Sequence, residues 1–200
     1  MTRSFRVGAA SVFVLLGLGG PAAAQVSLQM DSGGMDMSEM KVGDTATIGV
    51  RLTGLQPGQQ LDTLAATVVF NGAALGTPTV TGGPIIPDPL NNPLDYLTLT
   101  DPGYAEATFL TFGEEAADRI RDNGLFYSFD VTAVAPGRGM FRFDFGDATA
   151  PNSEDPLDPI VVEVTTGDPL EFTVVPEPCS GLMLAMLGLL WAGRRSRRQR

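Results

Sequence analysis

Between Gln25 and Val175 hydrophobic and polar positions alternate, and the alternation breaks at Gly, Pro, Asn and Asp. That is the signature of strands and turns rather than of helices. Ala46, Ile48, Val50 and Leu52 fall on one side while Thr45, Thr47, Gly49 and Arg51 fall on the other, predicting one half-buried strand. Leu64, Ala66, Val68 and Phe70 repeat the pattern ahead of a turn at Asn71-Gly72. The strongest core strand carries Leu125, Tyr127, Phe129, Val131 and Ala133, and Phe141, Phe143 and Phe145 line one face of the next. With only Pro136-Gly137-Arg138-Gly139 between them, these two are expected to form a hairpin whose aromatics meet on the same side.

Weaker strands are expected over Val26–Met30, Leu75–Thr81, Ala105–Phe112, Ile160–Thr165 and Leu170–Val174. Only Glu114–Arg121 has helical composition, a two-turn connector packed by Ala117 and Ile120. Eight or nine short strands without βαβ alternation predict an all-β fold, an antiparallel two-sheet sandwich of the jelly-roll or immunoglobulin-like kind, over residues 25–174.

The two ends follow a different logic. Arg3 and Arg6 precede an apolar run from Val7 to Gly20 and the small-residue exit Pro21-Ala22-Ala23-Ala24, so residues 1–24 read as a signal peptide. Signal peptidase is expected to cut between Ala24 and Gln25, and an uncleaved N-terminal anchor is the alternative. At the other end Val175-Pro176-Glu177-Pro178 is followed by an apolar stretch from Gly181 to Gly193 and then by Arg194-Arg195-Ser196-Arg197-Arg198-Gln199-Arg200. A helix over the apolar stretch rises only about 20 Å against a hydrocarbon core of roughly 30 Å, a marginal span. The arginine cluster would hold its side in the cytoplasm and leave the domain outside.

This order of motif, short transmembrane segment and basic end over residues 175–200 resembles the PEP-CTERM sorting signal of Gram-negative bacteria, with Pro176, Glu177 and Pro178 matching its motif. The resemblance implies that an exosortase-type membrane enzyme processes the chain, anchored transiently in the inner membrane and then released or displayed at the cell surface. Cys179 stands directly after the motif, as a spectator thiol or as a processing or acylation site. A plain tail anchor would not need the Pro-Glu-Pro sequence.

Charge narrows the chemistry. The chain holds 13 basic and 23 acidic side chains and no His. Seven of the arginines lie at the two ends, so the stretch between them sets Lys41, Arg51, Arg119, Arg121, Arg138 and Arg142 against all 23 acids, a net of −17. Such a surface repels phosphate backbones, which argues against a nucleic-acid partner. Without imidazole there is no Ser-His-Asp triad, no histidine zinc site and no proton shuttle near neutral pH. A single Cys leaves no intramolecular disulfide.

Framework motifs suggest a family for the middle. Val26-Ser27-Leu28, then Lys41-Val42-Gly43-Asp44-Thr45 leading into a strand, then Val68-Val69-Phe70-Asn71, and later Asp122-Asn123-Gly124-Leu125-Phe126-Tyr127-Ser128-Phe129-Asp130-Val131 before Ala135-Pro136-Gly137 resemble the cohesin-like domain. Cohesins are jelly-roll sandwiches of the wider carbohydrate-binding-module group, and in cellulosomes they hold dockerin modules. The resemblance implies a binding domain for protein or polysaccharide, and it speaks for fold more than for dockerin binding.

Candidate sites are few. Acids cluster at Asp31, Asp36 and Glu39, at Asp88 and Asp95, and from Asp144 to Asp158. The last segment could wrap a calcium ion through Asp144, Asp147, Asp155 and Asp158, or it is a solvated acidic loop, since the spacing is not that of an EF-hand. Tyr96, Tyr104 and Phe109 form either a sugar-stacking platform or core. Met30, Met35, Met37 and Met40 form a soft apolar edge, with copper the remote alternative. No carboxylate pair stands out from the other surface acids as the acid and base of a glycosidase.

The expectation is an exported, non-enzymatic surface or matrix protein, with a dockerin receptor or a secreted glycosidase as rivals. Replacing Pro176-Glu177-Pro178 with alanines is expected to retain the full-length chain in the membrane fraction. Intact mass of membrane and medium fractions checks this, and unchanged processing and release would sink the sorting reading.

Overall fold

A computed structural model describes residues 25–87, 96–111, 115–152, 154–155 and 158–176. The expected signal peptide over residues 1–24, Asp88, Asp95, Glu177, Pro178, Cys179 and the apolar and basic tail lie outside the described residues. Among the described residues no helix is long and apolar enough to cross a membrane.

Among the described residues eleven strands follow one another: β1 (Gln25–Asp31), β2 (Met40–Lys41), β3 (Thr45–Thr53), β4 (Thr63–Val69), β5 (Thr79–Gly82), β6 (Tyr96–Asp101), β7 (Tyr104–Leu110), β8 (Gly124–Thr132), β9 (Gly137–Ala150), β10 (Ile160–Thr166) and β11 (Leu170–Val175). One sheet runs β5-β8-β3-β1 and the other β9-β4-β7-β6. They face each other as a sandwich. The strand β10 joins them, because Ile160–Val162 pair with β9 whereas Glu163–Thr166 pair with β1. Strand β11 lies along the first part of β9 and takes β2 on its other side. The β1–β10 and β2–β11 pairings are parallel, so the sandwich is not purely antiparallel as expected.

Alternation places the core where the sequence pattern puts it. Val26, Leu28, Ala46, Ile48, Val50, Leu52, Phe129 and Val131 are buried from the first sheet, and Leu64, Ala66, Val68, Ala105, Ala107, Phe109 and Phe141 from the second. Met37 and Met40 are buried with them, so the Met-rich segment is core. The Asp36 carboxylate caps the short 3₁₀ turn Met37–Glu39 by accepting from the Ser38 amide and hydroxyl, at 2.9 and 2.7 Å, which hold it below the usual carboxylate range.

Four expectations are corrected. First, β8 and β9 form no hairpin: β8 pairs with β3 and β5, and β9 with β4, β10 and β11. The short connection crosses between the sheets because its amides bond elsewhere, Ala133 to the Asp44 carbonyl at 2.8 Å and Val134 to the Ala74 carbonyl at 2.9 Å. The aromatics therefore meet across the sandwich, with Phe129 and Phe141 ring centres 5.9 Å apart.

Second, each of these strands contains a β-bulge, an extra residue that reverses the alternation beyond it. In β8 Val50 pairs with Tyr127 and Arg51 with Leu125, so Phe126 is the extra residue and is buried beside Tyr127, while Leu125 leaves the core. In β9 Thr67 pairs with Phe145 and Val68 with Phe143, which makes Asp144 the extra residue and turns Phe145 outward, 51% exposed.

Third, the connector is one 3₁₀ turn, Ala116–Asp118, with Ile120 buried but Ala117 exposed. Ile120 bridges Leu61, and the Arg119 guanidinium bonds Asp62 at 2.6 Å, so pairing across the chain rather than helix propensity places the segment. Fourth, Leu75–Thr81 shortens to Thr79–Gly82, with Leu75 in an isolated bridge to Ala133, and β6 and β2 are strands that the pattern did not yield.

The β9 bulge makes opposite predictions for the phenylalanines on either side of it. Phe141→Ala is expected to cost about 3–5 kcal/mol as a core cavity, and Phe145→Ala less than about 1 kcal/mol as a surface change, both read from urea unfolding midpoints.

Candidate functional site

The outer face of the second sheet is built from the residues that alternation turns away from the core. In antiparallel strands directly opposed residues share a face. Thr67 opposes Phe145 on one side and Glu106 on the other, and Glu106 in turn opposes Leu99. This gives a row Phe145–Thr67–Glu106–Leu99 across four strands. One step along, the row is Asp147–Ala65–Thr108–Leu97, and one step the other way it is Arg142–Val69–Tyr104–Asp101.

Large apolar side chains of this face stand in solvent, among them Leu97 at 59%, Leu99 at 60% and Phe145 at 51% exposure. At its centre Glu106 is held by its neighbours. Its Oε2 accepts from the Tyr104 hydroxyl and from Thr67 Oγ1 at 3.3 Å, and its Oε1 accepts from Thr108 Oγ1 at 3.3 Å. Thr67 is only 6% exposed although it points outward. The face thus carries a fixed acid between two apolar margins.

The first sheet presents a different outer surface, with Thr45 paired to Thr132 at 3.0 Å between hydroxyls and Thr47 donating to Asp130 at 2.5 Å. An open depression of about 380 Å³ lies on this side, among Asp31, Met35, Gly49, Arg51, Leu125 and Ser128.

The acids singled out in the sequence do not converge. Asp144 occupies the β9 bulge and faces Arg142 at 3.9 Å with both side chains more than half exposed, an ion pair of about 0–1 kcal/mol. Asp147 accepts from the Ala148 amide at 2.9 Å, and Asp155 and Asp158 share a turn closed by an Asp158 amide to Asp155 carbonyl bond of 3.1 Å. Among the described residues no group of three or more Asp, Glu, His or Cys is placed to hold a metal ion. Phe109 is buried and belongs to the core, whereas Tyr104 lies on the outer face with Glu106. Gln25 begins β1 and Pro176 follows β11 directly, exposed, so the two proposed processing points flank the folded residues.

Leu97 and Leu99 carry a local signal, since Tyr96-Leu97-Thr98-Leu99-Thr100-Asp101 alternates and ends in Pro102-Gly103. That is the local signature of a strand and tight turn, and Gly103 indeed takes a positive φ of 89°. No local signal marks Phe145, since only the bulge turns it outward.

No protein-family model and no curated protein matches the sequence. Solved structures do match. The seventh ScaB type I cohesin from Pseudobacteroides cellulosolvens aligns with a TM-score of 0.60 at 14% identity, covering 76% of this chain and 94% of that one. A Clostridium thermocellum cohesin, OlpC, solved in complex with the dockerin Doc435, aligns at 0.59 and 15% identity over 78% of this chain and 99% of that one. A non-cellulosomal cohesin from the hyperthermophilic archaeon Archaeoglobus fulgidus aligns at 0.54 and 10% identity over 80% and 98%. The chain has the cohesin fold.

Thr67→Val keeps the shape but removes a donor to Glu106. It is expected to cost about 0.5–1.5 kcal/mol in chemical denaturation, and a stability equal to the parent would detach Thr67 from the support of Glu106.

Proposed function

We propose that this chain is an exported, non-enzymatic binding module that docks a partner protein on the outer face of the second sheet. The observation that carries the reading is the exposure of Leu97, Leu99 and Phe145 around the hydrogen-bonded Glu106 on one sheet face. Exposed apolar groups around a preorganised polar centre are what a specific interface needs, and a solvated β-sheet face has no use for them. The fold is shared with cohesins solved with dockerins bound, among them the OlpC complex and a ScaC cohesin in complex with the ScaB dockerin, which supports a dockerin-like protein as the partner class.

The tail extends the reading to location. Export by the signal peptide and sorting through Pro176-Glu177-Pro178 would deliver the domain to the surface or matrix of a Gram-negative cell, where a partner or a polysaccharide would be met. The net charge of −17 between the basic ends favours solubility and steers basic partners toward the domain. Hydrolysis is disfavoured because the depression on the first sheet holds one carboxylate, Asp31, where a glycosidase needs two.

A pull-down of dockerin modules by the immobilised chain tests the docking face. Leu99→Asp combined with Phe145→Asp is expected to lower capture at least tenfold, while Thr45→Asp on the other sheet leaves it unchanged. Equal capture by all three proteins would remove the face from the account, and hydrolysis of polysaccharide by the purified chain would overturn the non-enzymatic assignment.

A further inference from the structure

The depression on the first sheet has a specific structural origin. Gly49 pairs with Asp31 on one side and with Ser128 on the other, so the row Asp31–Gly49–Ser128 has no side chain at its middle. Thr47 and Arg51 flank Gly49 on the same face, and the missing side chain leaves a notch between them whose floor Leu125 fills, so that Gly49 itself is buried. Leu125, turned outward by the Phe126 bulge, reaches over it: its Cδ1 lies 3.0 Å from where a Gly49 Cβ would be. Met35 contributes the other apolar lining from the loop after β1.

The polar side is preorganised. Asp31 Oδ1 accepts from the Gly33 amide at 2.8 Å and its Oδ2 accepts from Arg51 Nε at 3.3 Å. The loop is closed by a Met35 amide to Ser32 carbonyl bond of 3.1 Å and a Ser32 hydroxyl to Met35 carbonyl bond of 3.0 Å. The Asp31–Arg51 bond uses only Nε, so the terminal amino groups of the guanidinium remain as donors beside an acceptor carboxylate. Both side chains are about half exposed, at 46% and 49%.

We infer that this notch is a subsite for one or two units of a neutral glycan. Vicinal sugar hydroxyls each donate and accept, and a carboxylate beside a guanidinium offers the matching acceptor and donors. Leu125 and Met35 supply the apolar patch on which the C–H face of a pyranose packs. The pair is net neutral and sits in an acidic domain, which disfavours an anionic ligand, and a lone carboxylate is too few for a calcium ion. A volume near the low end of ligand pockets and an open rim fit a small ligand bound weakly. The inference does not rest on the protein-docking reading: the notch and the face around Glu106 belong to different sheets, so one domain can hold both at once.

The test is a titration of the ¹⁵N-labelled full chain in detergent micelles with cellotetraose, mannotetraose, chitotetraose and tetragalacturonate, followed by amide shifts. At least one neutral tetrasaccharide is expected to saturate shifts at Gly33, Gly49, Arg51 and Ser128 with a Kd of about 1 mM. Arg51→Met is expected to weaken it at least tenfold. Gly49→Val, whose Cβ would meet Leu125 Cδ1 at 3.0 Å and so push Leu125 out into the notch, is expected to do the same and keeps the test decisive should Arg51→Met disturb the fold. The inference is overturned if no neutral tetrasaccharide moves these amides up to about 20 mM, if tetragalacturonate binds more tightly, or if the folded variants bind like the parent. Loss of dockerin capture in Leu99→Asp with Phe145→Asp leaves this titration unaffected, so the two readings fail separately.

Discussion

A layer of rings between the two sheets is the contact on which this structure depends. Phe129 from β8 meets Phe70, just after β4, at 6.1 Å in a near-parallel stack, and meets Phe141 from β9 at 5.9 Å. Phe141 also meets Phe70 at 5.3 Å and Phe172 of β11 at 5.2 Å, so one connected cluster ties the first sheet to three segments on the opposite side. Tyr127 adds a polar bond across the same gap, its hydroxyl donating to the Ala66 carbonyl of β4 at 3.3 Å. Ring pairs in such tilted and offset geometries contribute about 0.5–1.5 kcal/mol each beyond their buried area. With a single Cys and hence no intramolecular disulfide, the sheets are held by this apolar contact, the Tyr127 bond and their backbone ladders. The inner faces are complementary in size, with Ala66, Ala105 and Ala107 on the second sheet where the first carries Ile48, Val50, Leu52, Tyr127 and Phe129.

The same layer explains why both candidate sites exist. The bulge at Phe126 lets two consecutive aromatics enter the core, and its consequence on the outside is Leu125 standing over Gly49. The bulge at Asp144 keeps Phe141 and Phe143 directed inward in the first half of β9 and then lets small residues, Gly146 and Ala148, continue on the inner side. A Cβ at Gly146 would already lie 3.1 Å from Leu28 Cδ1, so no phenylalanine fits in that half of the strand, and Phe145 is turned to solvent. Core packing in this domain therefore shapes its outer surfaces, through two single-residue insertions in neighbouring strands of the chain.

The two outer faces differ in character. The second sheet presents apolar margins around a fixed acid, whereas the first presents hydroxyls, an ion pair and a notch. Strand β11 ends at Val175, paired in parallel with Lys41, and the Pro-Glu-Pro sequence begins at the next residue. In the proposed sorting scheme no linker separates the folded domain from its tag, so whatever attaches to the tag holds the sandwich close by.

The sequence by itself determined the all-β class, the inward residues of β3 and β4 and the acidic balance. These are local or compositional properties: a period of two is written in consecutive residues, and a charge balance in their count. The helical composition of Glu114–Arg121 was local too, and it misled, because pairing of Ile120 with Leu61 outweighed a propensity too short to nucleate a helix. Tertiary structure alone decided that β8 and β9 part company into different sheets, that Phe145 faces water while Phe141 does not, and that Asp31 meets Arg51. Each depends on which distant strand supplies the hydrogen-bond partners, and a bulge is visible only as a mismatch between two strands.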